Sequence, residues 1–511
     1  MLTVHEQIQS GGVVGSPDRQ IDMVLTELRK TMGNPPFMFL DIRPAGHPLL
    51  AIFDHQIAEQ ISSPSKDMPY SVQKSDTFKD FGDILGPSSI VGIDGEHWKS
   101  LRKRFNPCFA PHHLMTLLPH ILEKTRIFIN HMDRLAISGE EFQLGDYCTR
   151  LTFDIIGVVV MDLDFKAQEK VEDEDDTLTM FRELSHTYTT QINRFLVWFQ
   201  PRLLYTRKSL SWRIHRKLRQ LVERKFDEMQ SENMPKTRSV LMRSLEGLEH
   251  LDSNTADEIC DQLKTFLFAG HDTTSILLQW AFYELSRTPK ALKAIRAELD
   301  DIFGSCTAPR IILKMLADRG SELIPKMTYT SAVIKETLRL YPPASTARTA
   351  PSGSGFNLTT QDGKQYCADN LLLYMCSFAI QRDPTVFGES ADLFVPERWL
   401  EDRSARIPLG AWRGFERGPR SCIGQELANI EAKVVLALTV RRYDFIKAGM
   451  GELVLDETNQ PILDTNGIYK TKSTLFNATK ITHRPVDNCI VRVELSQRAK
   501  NESATGIRPV D

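Results

Sequence analysis

Apolar residues recur at three- and four-residue steps through most of residues 95–340, and this pattern predicts a mainly helical chain. The longest such pattern follows the capping residue types at 252–255 and runs to Arg287, just before Pro289. It covers roughly 32 residues, or about 48 Å at 1.5 Å per residue. A helix of that length is expected to cross a whole domain. Breaks that contain proline lie at residues 233–235, 288–290 and 341–343.

The pattern becomes irregular after residue 340, where short strands are expected near residues 371–378 and 490–495. Residues 48–53 also have the composition of a strand, and a helix is expected after them. The segment from Ser496 is polar, and we expect it to be frayed. No linker of domain-separating length appears. The sequence therefore predicts one mainly α domain with a small β-rich portion over residues 1–495, followed by a polar C-terminal tail over 496–511.

Composition and charge exclude several classes of protein. A net charge of −3 over 511 residues gives no basic footprint for nucleic acid. The eight cysteines are scattered and form no C-x-x-C pair, which argues against zinc ribbons, thioredoxin chemistry and a disulfide framework. Cysteines in this scattered pattern are typical of a protein in a reducing environment. No run of about 20 apolar residues occurs, so the sequence predicts neither a membrane-spanning helix nor a secretory signal.

The most informative cysteine is Cys422, in the run F-E-R-G-P-R-S-C-I-G of residues 415–424. It follows a turn of glycine, proline and arginine and precedes an apolar-periodic segment that ends near Leu438. A thiol at a helix N-terminus beside arginines is expected to shift towards the thiolate, which is the form that binds iron. The alternative is a buried structural cysteine after a turn.

A second candidate site lies in the middle of the long helix, in the run A-G-H-D-T-T of residues 269–274. Glycine and consecutive threonines are poor helix formers, and a threonine hydroxyl can bond the carbonyl four residues back. Small residues at this point leave room for a flat ligand. The alternative is a helix–helix crossing that carries a few polar residues.

Together these patterns resemble the cytochrome P450 family. The run F-x-x-G-x-R-x-C-x-G resembles that family's haem-binding loop, and A-G-x-D-T-T resembles its oxygen-activation motif. Gly414 and Arg417 depart from the usual loop, which often has proline and a small residue there. The remaining matches, in the family's chain order, are W-x-x-x-R at Trp98 and Arg102, E-x-x-R at Glu336 and Arg339, and P-E-R-W at residues 396–399.

The resemblance covers most of the chain, from residue 98 to 424, and it implies a single haem domain of the P450 fold. It implies haem b (iron protoporphyrin IX) as cofactor, with Cys422 as the iron ligand. By position in the motif, Thr273 would hold and protonate iron-bound dioxygen and Asp272 would supply protons to it. His271 stands at the variable position of the motif and receives no role.

The other matched residues imply further contacts to the cofactor. Trp98, Arg102, Arg348 and Arg420 would reach the haem carboxylates, because arginine forms forked, charge-assisted bonds to carboxylates. Phe415, Gly418 and Gly424 complete the haem-binding loop. Glu336, Arg339 and Arg398 would form a buried charge network that holds this loop. For each arginine the alternative is an ordinary surface charge.

The implied reaction is monooxygenation, in which one atom of dioxygen enters an organic substrate. We expect a eukaryotic microsomal enzyme of the type found in fungal secondary metabolism. The residues contain no flavin or nicotinamide motif, so electrons are expected from a separate NADPH–cytochrome P450 reductase. The alternatives are a reductase-independent haem-thiolate isomerase or dehydratase, a non-catalytic haem protein, and a helical scaffold without haem.

Two surfaces are also expected. Family analogy places the chain on the cytosolic face of the endoplasmic reticulum membrane; because the sequence shows no transmembrane anchor, the alternative is a soluble or peripheral protein. The aromatic segment 194–205 fits either a peripheral membrane contact or core packing. A basic patch for the reductase or an ordinary solvated face is expected from these residues: Lys99, Arg102, Lys103, Arg104, Arg413 and Arg417. The substrate pocket is expected to be lined by residues 78–90, 187–199, Phe266, Ala269, 344–346 and 475–476.

Overall fold

A computed structural model describes residues 19–43, 47–66, 68–169, 175–189, 200–230 and 239–504. These residues form a mainly helical body with a smaller β portion. The helices are α1 (Ile21–Thr31), α2 (His55–Ser62), α3 (Gly82–Leu85), α4 (Gly95–Phe105), α5 (Pro111–Thr116), α6 (Leu118–Ser138), α7 (Leu144–Ile156), α8 (Asp176–Thr189), α9 (Pro201–Gln230), α10 (Val240–Leu245), α11 (Ser253–Arg287), α12 (Pro289–Phe303), α13 (Pro309–Lys326), α14 (Thr328–Leu340), α15 (Ser377–Ile380), α16 (Pro384–Phe387), α17 (Glu401–Ser404), α18 (Gln425–Thr439) and α19 (Gln497–Ala504).

The strands form two sheets and two hairpins. They are β1 (Phe37–Leu40), β2 (Leu49–Ile52), β3 (Phe142–Gln143), β4 (Thr346–Thr349), β5 (Asn357–Thr359), β6 (Gln365–Cys367), β7 (Leu372–Met375), β8 (Tyr443–Lys447), β9 (Asn477–Thr479), β10 (His483–Pro485) and β11 (Ile490–Leu495). The four-stranded sheet has the order β1-β2-β7-β4 and the three-stranded sheet the order β3-β11-β8. Strand β2 pairs in parallel with β7, with Leu50 opposite Leu373. The hairpins are β5-β6 and β9-β10.

The long helix α11 has 35 residues and begins where the sequence predicts. The carboxylate of Asp252 accepts hydrogen bonds from the backbone amide and the hydroxyl of Thr255, at 3.0 and 2.7 Å, and so caps the first turn. The helix is buried over most of its length. It crosses α7 closely at Gly270, where an added Cβ would lie 2.5 Å from the Cδ1 atom of Ile156. The missing side chain at Gly270 therefore permits this crossing.

The predicted strands near residues 48–53, 371–378 and 490–495 are confirmed as β2, β7 and β11, and helix α2 follows β2 as expected. Helices α11 and α14 end at the predicted breaks after Arg287 and Leu340. The break at 233–235 lies outside the described residues. None of the helices in the described part of the chain is long and apolar enough to cross a membrane.

The expectation of a frayed tail is wrong for the residues up to Ala504, which end helix α19. Ala499 is fully buried, and the hydroxyl of Ser496 donates to the carbonyl oxygen of Arg441 at 2.8 Å. The Arg498 guanidinium also reaches the carboxylate of Asp300. A single apolar residue and these long-range bonds hold a segment whose composition is otherwise polar.

The charge network expected around Glu336 is present and buried. The two carboxylate oxygens of Glu336 accept five hydrogen bonds, which come from Arg339 (two), Arg398, the indole of Trp399 and the backbone amide of Val395, at 2.8–3.0 Å. Arg339 also donates to the carbonyl oxygens of Gln381, Ala391 and Leu393. The network thus ties α14 to the segment that leads towards Cys422.

Burial alone would raise the pKa of Glu336, but Arg339 and Arg398 hold that pKa below its usual value. A depressed folded-state pKa stabilises the protein above the pKa of the unfolded chain. This stabilisation is lost as the pH falls through the folded-state value.

We predict that Glu336→Ala lowers the free energy of unfolding by about 3–5 kcal/mol, because it leaves two buried guanidinium groups without their carboxylate. Urea unfolding followed by circular dichroism measures this loss. Glu322→Ala is the matched control, since it removes an exposed carboxylate that also pairs with an arginine. An equal effect of the two substitutions would contradict a structural role for the network.

Candidate active site

The cysteine loop is held in shape by its backbone. The amide of Cys422 donates to the carbonyl oxygen of Phe415 at 2.8 Å, which closes the loop just before α18. Gly418 has a φ of +72°, and a Cβ there would lie 2.1 Å from the carbonyl oxygen of Ser62 on α2. The loop therefore requires glycine at 418 for two reasons, its left-handed backbone and its close approach to α2.

Cys422 faces an internal cavity of about 320 Å³. Its sulfur is exposed to this cavity although protein surrounds the loop. The walls are mainly apolar and include Phe78, Ile90, Phe109, Phe266, Leu277 and Leu427. Phe415 and Gly424 of the loop also line the cavity, as do Ala269, Gly270 and Thr273 of α11. The two sequence motifs, about 150 residues apart, thus meet at one cavity.

The expected shift of the Cys422 thiol towards thiolate is wrong for the polypeptide by itself. Burial raises the pKa of Cys422, and the amide of Gly424 and the charge of Arg102 only partly oppose this rise. The helix end and the arginines favour the thiolate, but the burial that opposes them depends on distant segments of the chain. A metal ion that binds the sulfur deprotonates it outright, so ionisation of Cys422 is expected to accompany metal binding.

Arg102 and Arg420 line the cavity. Arg102 donates to the carbonyl oxygen of Ser421, next to the cysteine, at 3.1 Å. The Arg420 guanidinium lies 4.5 Å from the ring centroid of Trp98 and bonds to the carboxylate of Asp94. Burial lowers the pKa of Arg420 to about 10. These side chains are therefore not ordinary surface charges.

Arg348 is fully buried and is not among the residues that line the cavity, although its bridge partner Lys74 is. It donates weakly, at 3.3–3.4 Å, to Ser71 and Val72, and its Nε and Nη2 atoms have no hydrogen-bond partner in the described part of the chain. Burial lowers its pKa to about 10. A buried guanidinium with two unsatisfied nitrogens requires an anionic partner to offset its desolvation.

Two further cations line the cavity, and neither was predicted from the sequence as a cavity residue. Lys74 donates to the hydroxyl of Thr346 at 2.7 Å, and burial together with Arg348 lowers its pKa well below the usual value. Arg413 is fully buried and pairs with Glu416. The expectation that Arg413 belongs to a surface patch is therefore wrong. The position of Arg413 next to the cysteine loop could have indicated its place at the cavity. Nothing in the sequence around Lys74 could have done so, because Lys74 reaches the site through tertiary pairing with β4.

The residues present fit a haem group. An apolar cavity has a cysteine sulfur on its wall, and Arg348, Arg413 and Arg420 all have buried guanidinium nitrogens without hydrogen-bond partners among the described residues. Haem b has an apolar macrocycle, an iron that thiolate binds and two carboxylates that need cationic donors. The donor set is therefore complementary to this cofactor in each of its three chemical parts.

On α11, Thr273 and Asp272 have different environments. The Thr273 hydroxyl lines the cavity and donates to the carbonyl oxygen of Ala269 at 2.7 Å. Asp272 is buried outside the cavity wall, where its carboxylate accepts from the hydroxyl of Thr482 and from the Arg484 guanidinium. Burial alone would raise the pKa of Asp272, but Arg484 leads the interactions that lower it. The structure therefore does not bring the two side chains together in the cavity.

His271 is stacked on Phe153, with ring centroids 3.8 Å apart, and its Nδ1 lies 2.7 Å from the carbonyl oxygen of Leu267. Burial lowers its pKa to about 4, so the imidazole is neutral at physiological pH. It does not line the cavity, in keeping with the absence of an assigned role.

The expected pocket-lining segments are placed as follows. Phe78, Ile90, Phe266 and Ala269 line the cavity, and so do residues 344–346. Residues 475–476 and Thr187 are not among the lining residues, and residues 190–199 lie outside the described part of the chain. Of the expected basic patch, Lys99 and Lys103 are exposed, whereas Arg102 lines the cavity and Arg417 pairs with Glu59.

Comparisons with known proteins agree with this geometry. A family model described as Cytochrome P450 matches residues 6–470. The cytochrome P450 monooxygenase polC of Polytolypa hystricis is 30% identical over 475 residues, 91% of this chain and 82% of that protein. The cytochrome P450 monooxygenase acrF of Aspergillus aculeatus is 31% identical over 442 residues, 80% of this chain and 84% of that protein.

Among solved structures, the cytochrome P450 CYP102L1 superposes with a TM-score of 0.74 at 18% identity, and the match covers 94% of this chain and all of that one. A likeness at this identity shows the fold alone. The expected mainly α fold with a small β portion is confirmed.

We predict that Gly418→Ala destabilises the protein more than Gly363→Ala does. Both glycines have a positive φ, of +72° and +78°, but only Gly418 has a neighbour in the space of the added Cβ. The difference in free energy of unfolding is expected to be about 1–3 kcal/mol, the usual cost of overpacking. Parallel urea titrations measure it. Equal losses would show that the contact with Ser62 does not constrain the loop.

Proposed function

The chain belongs to the cytochrome P450 family, and on that premise we propose that it is a haem-thiolate monooxygenase that inserts one atom of dioxygen into an organic substrate. One observation carries the proposal: Cys422 and Thr273 line the same mainly apolar cavity, which buried cations also border. The thiol supplies the metal ligand, and the cations match the charge of a cofactor with two carboxylates.

In this proposal Cys422 would hold haem b through its iron, and Trp98, Arg102, Arg348 and Arg420 would hold its carboxylates. Lys74 and Arg413 add positive charge to the same region. The bound haem supplies the oxygen chemistry, and a thiolate ligand favours cleavage of the O–O bond. Phe415, Gly418 and Gly424 keep the sulfur in position by setting the shape of the loop.

The protein's own part in the reaction is to exclude water and to hold protons. The apolar walls keep bulk water away from the substrate, which strengthens every electrostatic interaction within the cavity. The Thr273 hydroxyl stands at the cavity surface, where its oxygen can accept a hydrogen bond while its proton is donated to the carbonyl oxygen of Ala269. We assign Asp272 to proton supply. Because Arg484 and Thr482 hold its carboxylate outside the wall, a proton reaches Thr273 only after this cluster opens or through intervening water.

The substrate is proposed to be a mostly apolar molecule with some polar groups. The lining is largely hydrocarbon, with hydroxyl groups from Thr265, Thr273, Thr274, Ser345 and Thr346. The two relatives above are cytochrome P450 monooxygenases of fungi. The place in fungal secondary metabolism that the sequence resemblance implies is part of this proposal. By analogy with the microsomal members of the family, electrons come from a separate NADPH–cytochrome P450 reductase at the cytosolic face of the endoplasmic reticulum.

We predict that the purified, reduced protein under carbon monoxide shows the red-shifted Soret band of thiolate-bound haem, and that Cys422→Ser abolishes this band, because a serine hydroxyl does not replace the thiolate donor. Cys367→Ser is the control, since Cys367 is exposed on β6 far from the loop in sequence. The absorbance spectrum and the haem content of all three proteins decide the question. A Cys422→Ser protein with the unchanged band would end the proposal.

We predict that Thr273→Ala retains haem and the thiolate spectrum but forms less product for each NADPH consumed. The ratio of product formed to NADPH consumed is expected to fall by about tenfold or more. The reason is that alanine cannot hold a proton at the cavity surface. Thr273→Ser keeps the hydroxyl and is expected to restore most of the coupling. If alanine and serine couple equally well, Thr273 has no role in proton transfer.

A further inference from the structure

An acidic residue of the cysteine loop, Glu416, lies among the cations at the cavity. It precedes Cys422 by six residues and lines the cavity together with Arg413. Its Oε1 atom accepts hydrogen bonds from the Arg413 guanidinium and from the backbone amide of Arg417, the latter at 3.0 Å. Its Oε2 atom accepts none from the described residues. One oxygen of this carboxylate therefore holds the loop, and the other has no donor of its own in the described part of the chain.

The backbone of Glu416 has a conformation that glutamate rarely adopts. Its φ is 57°, in the left-handed region. The Glu416 amide donates to the carbonyl oxygen of Arg413 at 3.0 Å, so the two residues are joined through their backbones as well as through their side chains. Residues in such conformations cluster at functional sites, where the surrounding structure maintains them. The fold of the loop therefore fixes the position of the Glu416 carboxylate.

The charge of Glu416 acts on two further cations besides Arg413. Lys74 and Arg348 are neighbours, because their backbones form an isolated β-bridge. Burial lowers the pKa of both side chains, and in each case Glu416 supplies the carboxylate that opposes this shift. Arg413 pairs with Glu416 and also, at 3.6 Å, with Glu59 on α2. Glu416 is thus the counter-ion that Lys74, Arg348 and Arg413 have in common.

We propose that Glu416 is an internal counter-ion that competes with the haem carboxylates for these three cations and so limits how tightly the chain retains haem. The inference rests on the haem site proposed above. Arg348 and Arg413 have guanidinium nitrogens without hydrogen-bond partners among the described residues, and such nitrogens suit a carboxylate ligand. A carboxylate that already lies beside them offsets part of their charge and repels a second carboxylate. Glu416 therefore stabilises the cations and lowers the affinity of the same cations for the cofactor.

The test is the rate of haem loss from the full haem-loaded protein to an excess of apomyoglobin, followed by absorbance. Glu416→Gln is expected to slow haem loss by about tenfold, because it removes a like charge from beside the haem carboxylates. Glu416→Asp keeps the charge and is expected to lose haem at a rate close to that of the unaltered chain. A purely structural role of Glu416 predicts the opposite sign, since a loosened loop releases haem faster.

The matched control is Glu59→Gln, which removes the same charge from another partner of Arg413. Glu59 is not among the residues that line the cavity, and its charge does not shift the pKa of Lys74 or Arg348. This variant is expected to lose haem as the unaltered chain does. The proposal fails if Glu416→Gln does not load haem, if it loses haem at the unaltered rate or faster, or if Glu59→Gln slows the loss equally. An unaltered protein without the thiolate band contradicts instead the proposed function, on which this inference rests.

A second measurement follows the charge of Glu416 without haem loss. Reduction adds an electron to the bound haem, and a nearby carboxylate opposes that step. Glu416→Gln is therefore expected to raise the reduction potential of the haem, whereas Glu416→Asp is expected to leave it close to the value of the unaltered chain. Spectroelectrochemical titration of the three proteins measures these potentials. An unchanged or lower potential in Glu416→Gln overturns the proposal, because the carboxylate then does not act on the bound cofactor.

Discussion

Burial of positive charge around the cavity is the constraint on which the site depends. Lys74, Arg102, Arg413 and Arg420 line the cavity, and Arg348 bridges to Lys74. Burial lowers the pKa of all of these except Arg413. Among the described residues, Glu59 and Glu416 pair with Arg413, and Asp94 pairs with Arg420. Charge in a medium of low dielectric is costly unless it is paired. A cofactor with two carboxylates would remove much of that cost, so cofactor binding and stability of the fold are expected to be linked.

The segment that leads to the cysteine loop is held by the opposite arrangement of charge, a buried carboxylate surrounded by donors. There a single buried carboxylate, that of Glu336, collects donors from α14 and from residues 395–399 and satisfies both of its oxygens. This cluster is complete without a ligand, whereas the cations of the cavity are not. The loop can therefore present Cys422 in a fixed position before any cofactor is bound, which is the preorganisation that a metal ligand requires.

Several features were predictable because they depend on near neighbours in sequence. The periodicity of α11, its capping by Asp252 and its end before Pro289 are local properties, and each is found where predicted. The loop at residues 415–424 has five matched positions in ten, so its resemblance to a known family was specific. The errors have a common origin as well. The pKa of Cys422, the burial of Arg413 and the docking of α19 all depend on what distant segments place around them.

The sequence by itself determined the fold class, the family, the cysteine, and the helix that carries Thr273, because these follow from spacing and residue type along one segment. Only the tertiary structure decided which charges face the cavity and which face water. Lys74 is placed at the site by its pairing with β4, some 270 residues away in the chain. Asp272 lies outside the cavity wall, where it accepts a hydrogen bond from Arg484, 212 residues away. Burial and pairing are properties of the space around a side chain, and segments this distant fill that space only once the chain has folded.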